Sequence, residues 1–245
     1  QIGSLGIHTG MRLGAWSWNS NARLLNNRMM DNLRATEAGG QNFPWVARRV
    51  LEQAPDFESA VKAWETVKLN APNYFILAGS EPYQGAVITR DRLGTHEAST
   101  PPTQRLSAEK GIWHVVQTND DLLSPPADAR RDSALLRLSK SPQAEVNEDF
   151  VRLQMLSAPV FNSDTLLTWV ANPRLGTHRA FPRESLGLLQ GLNSKLVHRA
   201  VNQPMPQELP RGRPSHGGTQ LRARVLRSLA EPERSTAGKP VGLTR

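Results

Sequence analysis

Two adjacent carboxylates, Asp120 and Asp121, directly follow a strand-like run, where a carboxylate at a strand end could transfer protons as a general acid or base. The alternative is a turn cap, since short acidic side chains hydrogen-bond their own backbone a few residues on. Six histidines, His8, His96, His114, His178, His198 and His216, show no metal-ligand spacing, so neither a metal nor a cofactor is expected. Cysteine is absent from all 245 residues, which removes disulfides, thiolate metal sites and a thiol nucleophile from within the chain. There is no G-x-G-x-x-G after a strand, no P-loop, no H-E-x-x-H and no G-x-S-x-G. Taken alone, Asn119 reads as a strand-end cap and Arg130 as a surface charge at a helix start.

The chain carries a net charge of +8 and a pI near 10.5, which raises nucleic acid, an anionic membrane or an acidic partner. The basic stretch beyond residue 202 has no interleaved aromatics for base stacking, so nucleic acid is not expected as a partner. Hydrophobic residues make up 38% and the mean hydropathy is −0.48, a deficit that localises to that same stretch. No run of about 18 apolar residues exists to form a membrane span. The chain begins at Gln1, which leads to the expectation that an upstream part was removed or is missing.

The elements that must position these groups read as follows. Residues 1–23 suggest a hairpin turning at Thr9-Gly10, with Leu13, Ala15, Trp16 and Trp18 in its second strand. Residues 26–41 are polar, end in Gly39-Gly40 and suit a loop. Helices are expected from Pro44 to a stop before Pro55, and from an Asp56 N-cap through Phe57, Ala60, Val61, Trp64 and Val67. YFILA (74–78) and AVIT (86–89) read as a buried hairpin, residues 96–107 as a loop and 111–118 as a further strand. Helices follow over 131–138 and 145–156, then one strand over 165–171. Hairpins with helices grouped between them argue for an α+β fold with antiparallel sheets. Beyond 183, repeated Pro and Arg suggest a basic disordered tail, so the domain division is 1–183 and 184–245.

Three longer segments carry more information than any short motif: NAPNYFILAG (70–79), QGAVITRDR (84–92) and GIWHVVQTN (111–119), followed by Arg130-Arg131. Gly3, Gly6, Thr9-Gly10, Gly14, Ser17, Asn21 and Arg23 precede them. In this order they resemble the acid ceramidase and N-acylethanolamine-hydrolysing acid amidase family over residues 3–183, with VITRDR and VVQTN nearer the ceramidase form.

The resemblance implies an N-terminal-nucleophile hydrolase: an αββα sandwich of antiparallel sheets, incomplete here at the N-terminus, whose proenzyme cuts itself to expose a cysteine. That thiol would attack an amide carbonyl, with its own α-amino group as base. It further implies that Asn119 is the oxyanion donor and Arg130 the first member of an arginine pair beside the nucleophile. The nucleophile and its R-N-x-D support would lie upstream of Gln1. Ala22 stands where the family has a glutamate, Asp128-Ala129 where it has an acidic pair, and His114 where it prefers an aromatic. The expected function is hydrolysis of N-acyl sphingoid lipids to fatty acid and amine, with this chain alone inactive. The alternatives are a noncatalytic relative that binds lipid or a partner, and an N-acylethanolamine amidase. Expected partners are the lipid substrate, an anionic membrane surface, a lipid-presenting activator and the missing N-terminal segment or subunit. The resemblance implies a lysosomal or secreted location, although no N-x-[ST] acceptor is present.

Overall fold

The computed structural model describes residues 6–25, 27–93 and 102–183. Its main sheet has five antiparallel strands in the order β1 (Thr9–Arg12), β2 (Trp16–Ala22), β3 (Asn73–Gly79), β4 (Gly85–Arg90) and β5 (Thr103–Arg105). A second, two-stranded sheet pairs β6 (Leu167–Asn172) with β7 (Thr177–Pro182). Helices α1 (Met29–Glu37), α2 (Phe43–Gln53) and α3 (Phe57–Thr66) lie between β2 and β3 in the chain; α4 (Arg130–Ser139) and α5 (Glu148–Met155) lie between β5 and β6. The expected α+β class with antiparallel sheets is therefore the one observed.

The period-two alternation of the strands decides what each sheet face does. Trp16, Trp18, Phe75, Leu77, Ala86 and Ile88 share one face and pack with Val46, Ala47, Val50, Phe57, Ala60, Val61 and Trp64 of α2 and α3. The indole of Trp64 stacks on Phe75 with centroids 3.8 Å apart. Helix α2 begins with Pro44 in its first turn, where a missing N–H costs nothing. Helix α3 is capped by Asp56, whose carboxylate accepts the Ser59 N–H at 2.7 Å. Both match the sequence expectation.

Several expectations need correction. Residues 26–41 are not a loop: α1 occupies most of them. Its Gly-Gly end is a helix stop, with Gly39 at φ +86° donating to Thr36 O and Gly40 donating to Ala35 O, a Schellman pair. Only Ala35 of α1 is buried, so there was no apolar stripe to read; the side chain of Asn32 instead accepts from Arg92 Nε and Nη2. The first hairpin turns at Gly14 (φ +73°), and Thr9-Gly10 already belongs to β1.

Residues 111–118 form no strand, because only Ile112 finds a partner, an isolated bridge to Ser107. The expected loop over 96–107 contains the short edge strand β5, its residues 96–101 lying outside the described ones. Helix α5 starts three residues later than expected, at Glu148, because Asn147 caps it by accepting the Phe150 N–H at 2.9 Å. The strand expected over 165–171 has a partner, β7, whose mostly exposed THRAFP carries no apolar alternation. The expected tail, 184–245, lies outside the described residues.

Candidate active site

The candidate site forms where the end of β2 meets residues 117–121 at the start of β3. Asn21 and Tyr74 are cross-strand partners. Both side chains reach that loop: Asn21 Nδ2 donates to Gln117 O at 2.8 Å, and the Tyr74 hydroxyl donates to Asp121 Oδ1 at 2.6 Å. Arg23, fully buried just beyond β2, holds the same carboxylate with a two-pronged fork, Nε to Oδ1 and Nη2 to Oδ2, both 2.7 Å. Its third nitrogen, Nη1, faces Asp91 Oδ2 at 3.8 Å. Burial draws the Arg23 guanidinium down from its ordinary pKa, but the Asp121 hydrogen bonds and the nearby negative charges outweigh this and leave it raised. Burial, reinforced by the Asp121 carboxylate, also pushes the Tyr74 phenol well above its usual range.

Asn119 is half-buried between two tethers. Its Nδ2 donates to Ala22 O at 2.9 Å, and its Oδ1 accepts from Arg130 Nη2 at 3.0 Å. A backbone carbonyl only accepts and a guanidinium only donates, so the two partners fix which end of the carboxamide is nitrogen. One of the two Nδ2 hydrogens is committed to Ala22. The other has no protein partner among the described residues and is free for a ligand oxygen. Arg130 is itself held at the start of α4, with Nε and its backbone N–H both bonded to the Asp128 carboxylate at 2.8 Å. These bonds draw Asp128 below the usual carboxylate range, the backbone hydrogen bond contributing most. Hydrogen-bonded to Oδ1, the Arg130 cation polarises the carboxamide and sharpens its remaining N–H as a donor.

The two aspartates divide the roles posed for them. Asp120 is the turn cap, its Oδ2 accepting the Ala127 N–H at 3.1 Å. Asp121 is a buried structural anion rather than a proton carrier facing solvent, and its backbone O also accepts from Arg131 Nη1 at 2.9 Å. His114 is partly buried against Trp113 with its Nδ1 unpartnered, and burial lowers its pKa. No cluster of His, Cys, Asp or Glu suited to a metal occurs among the described residues.

The structure thus brings Asn119, Arg130, Asn21, Arg23 and Ala22 together. Tyr74 belongs to the same cluster, and sequence reading had missed it; Arg131, second of the Arg130-Arg131 pair, joins through the Asp121 backbone carbonyl. Tyr74 looked like one more apolar strand residue. The available signal was its hydroxyl, since a tyrosine in a fully buried strand needs a partner for that group. Ala22 is exposed, and its side chain offers nothing where the resemblance had placed a glutamate.

No family profile matches the chain. Human acid ceramidase is 30% identical over 187 residues, covering 74% of this chain and 46% of that protein. The rat N-acylethanolamine-hydrolyzing acid amidase is 32% identical over 172 residues, 69% of this chain and 46% of that protein. Among solved structures, a Caenorhabditis elegans N-acylethanolamine-hydrolyzing acid amidase ortholog superposes with a TM-score of 0.62 at 26% identity, covering 73% of this chain and 78% of that one. The fold is that of an N-terminal-nucleophile hydrolase. The chain belongs to the family of acid ceramidase and N-acylethanolamine-hydrolyzing acid amidase, and spans about half the length of the curated relatives it matches.

Proposed function

We propose that this chain supplies the oxyanion-stabilising part of a lipid amide hydrolase acting on N-acyl sphingoid bases, whose thiol nucleophile comes from a segment outside these 245 residues. One observation carries the reading. The Asn119 carboxamide is pinned at both ends, between Ala22 and Arg130, with one N–H left unused. A donor fixed before the reaction stabilises the charge that develops on a tetrahedral intermediate without having to reorganise when that charge appears. In this reading the thiol attacks the amide carbonyl, the carbonyl oxygen becomes an anion facing Asn119, and Arg130 holds the carboxamide in register. The amine then leaves, and water releases the fatty acid from the thioester. The working environment is lysosomal or secreted, with an anionic membrane surface and a lipid-presenting activator as partners in substrate delivery.

A second reading, a noncatalytic lipid-binding relative, is favoured by Ala22, which puts a methyl group where a carboxylate would order the site.

The test is complementation with the thiol-bearing part of human acid ceramidase, assayed on a ceramide and on an N-acylethanolamine at acidic pH. Fatty acid release is expected only from the mixture, with none from this chain alone. Asn119→Ala should lower turnover by about 100- to 1000-fold. Turnover unaffected by Asn119→Ala would sink the proposal, and lipid binding without release would favour the second reading.

A further inference from the structure

The segment bearing Asn119 has no backbone ladder to hold it. Residues 113–121 lie outside every strand, yet they must keep one carboxamide at a fixed place. The end of β2 substitutes for the ladder with side chains, residue by residue: Asn21 donates to Gln117 O and Thr118 O, Asn119 donates back to Ala22 O, and Arg23 grips Asp121. The last of these contacts joins groups 98 residues apart in sequence and is the only charged one of the three. Tyr74 supplies it with a third donor.

Resting on the reading of Asn119 as the oxyanion donor, we infer that Asp121 is a positioning residue for that carboxamide, with Arg23 and Tyr74 as its clamp. Asp121 touches no substrate. It sits two residues beyond Asn119, and its depth against β2 and β3 fixes where the Asn119 backbone lies and hence where the free N–H points. Three donors, two from Arg23 just beyond β2 and one from Tyr74 of β3, converge on one carboxylate, so the loop can neither slide along β2 nor lift from it without leaving buried charge unpaired. This is the task of a support behind a reacting group, whose own rotamer is held by packing and hydrogen bonds.

Tyr74→Phe removes one of the three donors and keeps the ring in the core. Val61→Ala, in the buried face of α3 and away from the loop, is the control, both variants being compared at matched distances below their unfolding temperatures. In the full 245-residue chain, the side-chain amide resonances of Asn119 are expected to shift and their solvent exchange to rise in Tyr74→Phe, and to stay in place in Val61→Ala. In the complemented enzyme, Tyr74→Phe should lower kcat by up to about 100-fold with KM unchanged, the scale of a displaced catalytic group. Arg23→Lys keeps the charge and loses the fork, and should act in the same direction. Asn119 resonances unmoved by Tyr74→Phe, or moved equally by Val61→Ala, would overturn the inference. If the complemented wild type hydrolyses nothing, the functional reading fails, while the resonances still decide the positioning role.

Discussion

Around Phe75 the molecule is held by apolar packing, with Trp18, Trp64 and Phe43 all within 6.3 Å of its ring centroid. The indole nitrogens of Trp18 and Trp64 find no hydrogen-bond partner among the described residues, a cost that close packing has to outweigh. Around Asp121 directional pairing carries the packing: a carboxylate, two arginines and a phenol are buried together, with Arg23 Nε and Nη2, the Tyr74 hydroxyl and Arg131 Nη1 all hydrogen-bonded and Arg23 Nη1 left with an ion-pair contact to Asp91 at 3.8 Å. Apolar packing is non-directional and tolerates small displacements, whereas a two-pronged ion pair has one geometry. The fold therefore spends its shape-tolerant chemistry on the helix-backed face of the sheet and its geometry-specific chemistry on the loop that carries Asn119.

Trp64→Ala attacks the first region and should have the largest effect. Removing a fully buried indole stacked at 3.8 Å leaves a cavity, and loss of such a side chain costs roughly 3–5 kcal/mol. Urea denaturation should show a lowered midpoint at an unchanged slope. A loss under about 1 kcal/mol would mean that the aromatic stack is not the centre of the core.

Tyr74→Phe attacks the second region and should cost less, about 1.5–3 kcal/mol, the usual range for a hydrogen bond to a charged group. It also has a distinguishing pH signature. The phenol's pKa is raised in the folded state, so folding favours its neutral form. That contribution is complete below the ordinary tyrosine value of 10.0 and is lost as pH rises from there towards the folded value. Thermal melts of the parent chain should fall steeply on the alkaline side, and those of Tyr74→Phe should fall less. Equal alkaline slopes in the two proteins would remove Tyr74 from the buried network.

The two regions were not equally legible in the sequence, and the same difference in chemistry explains why. Packing against one face writes a period: Val46, Val50, Phe57, Ala60, Val61 and Trp64 recur at helical spacing, and β3 and β4 carry the apolar runs 74–78 and 86–88. Those elements could be read nearly to the residue. A loop held by side chains writes no period. Residues 111–118 looked strand-like because Ile112, Trp113, Val115 and Val116 are strand formers, yet the segment is tied to the end of β2 by side chains, Asn21 to the Gln117 and Thr118 carbonyls and Arg23 to Asp121, rather than through a ladder. Helix α1 failed to register for a related reason, since it is fastened by Asn32, Arg92 and a glycine stop instead of an apolar stripe. Asn119 and Arg130 were singled out only because the surrounding words matched a family. Nothing in their own spacing distinguished them from a cap and a surface charge.

The smallest effect separates the regions by the same kind of contact. Asn147 and Asp56 perform identical work, each accepting a backbone N–H three residues on at 2.9 and 2.7 Å. Helix α3 behind Asp56 buries Phe57, Ala60, Val61 and Trp64, whereas α5 behind Asn147 buries no residue fully. Asn147→Ala should cost about 1 kcal/mol, the usual worth of a cap. With so little packing to couple α5 to the rest, the loss should appear as faster amide exchange within 148–155 and leave the melting temperature nearly unmoved. Asp56→Ala should instead lower the global transition, because α3 cannot fray without opening the core. It should also flatten the acid limb: the Ser59 backbone hydrogen bond depresses the Asp56 pKa, so the cap's contribution is present above the ordinary carboxylate value and fades as pH falls through the folded one. If both substitutions lowered the melting temperature equally, α5 would be coupled to the core as tightly as α3, and the distinction between a packed scaffold and a laced periphery would fail at that point.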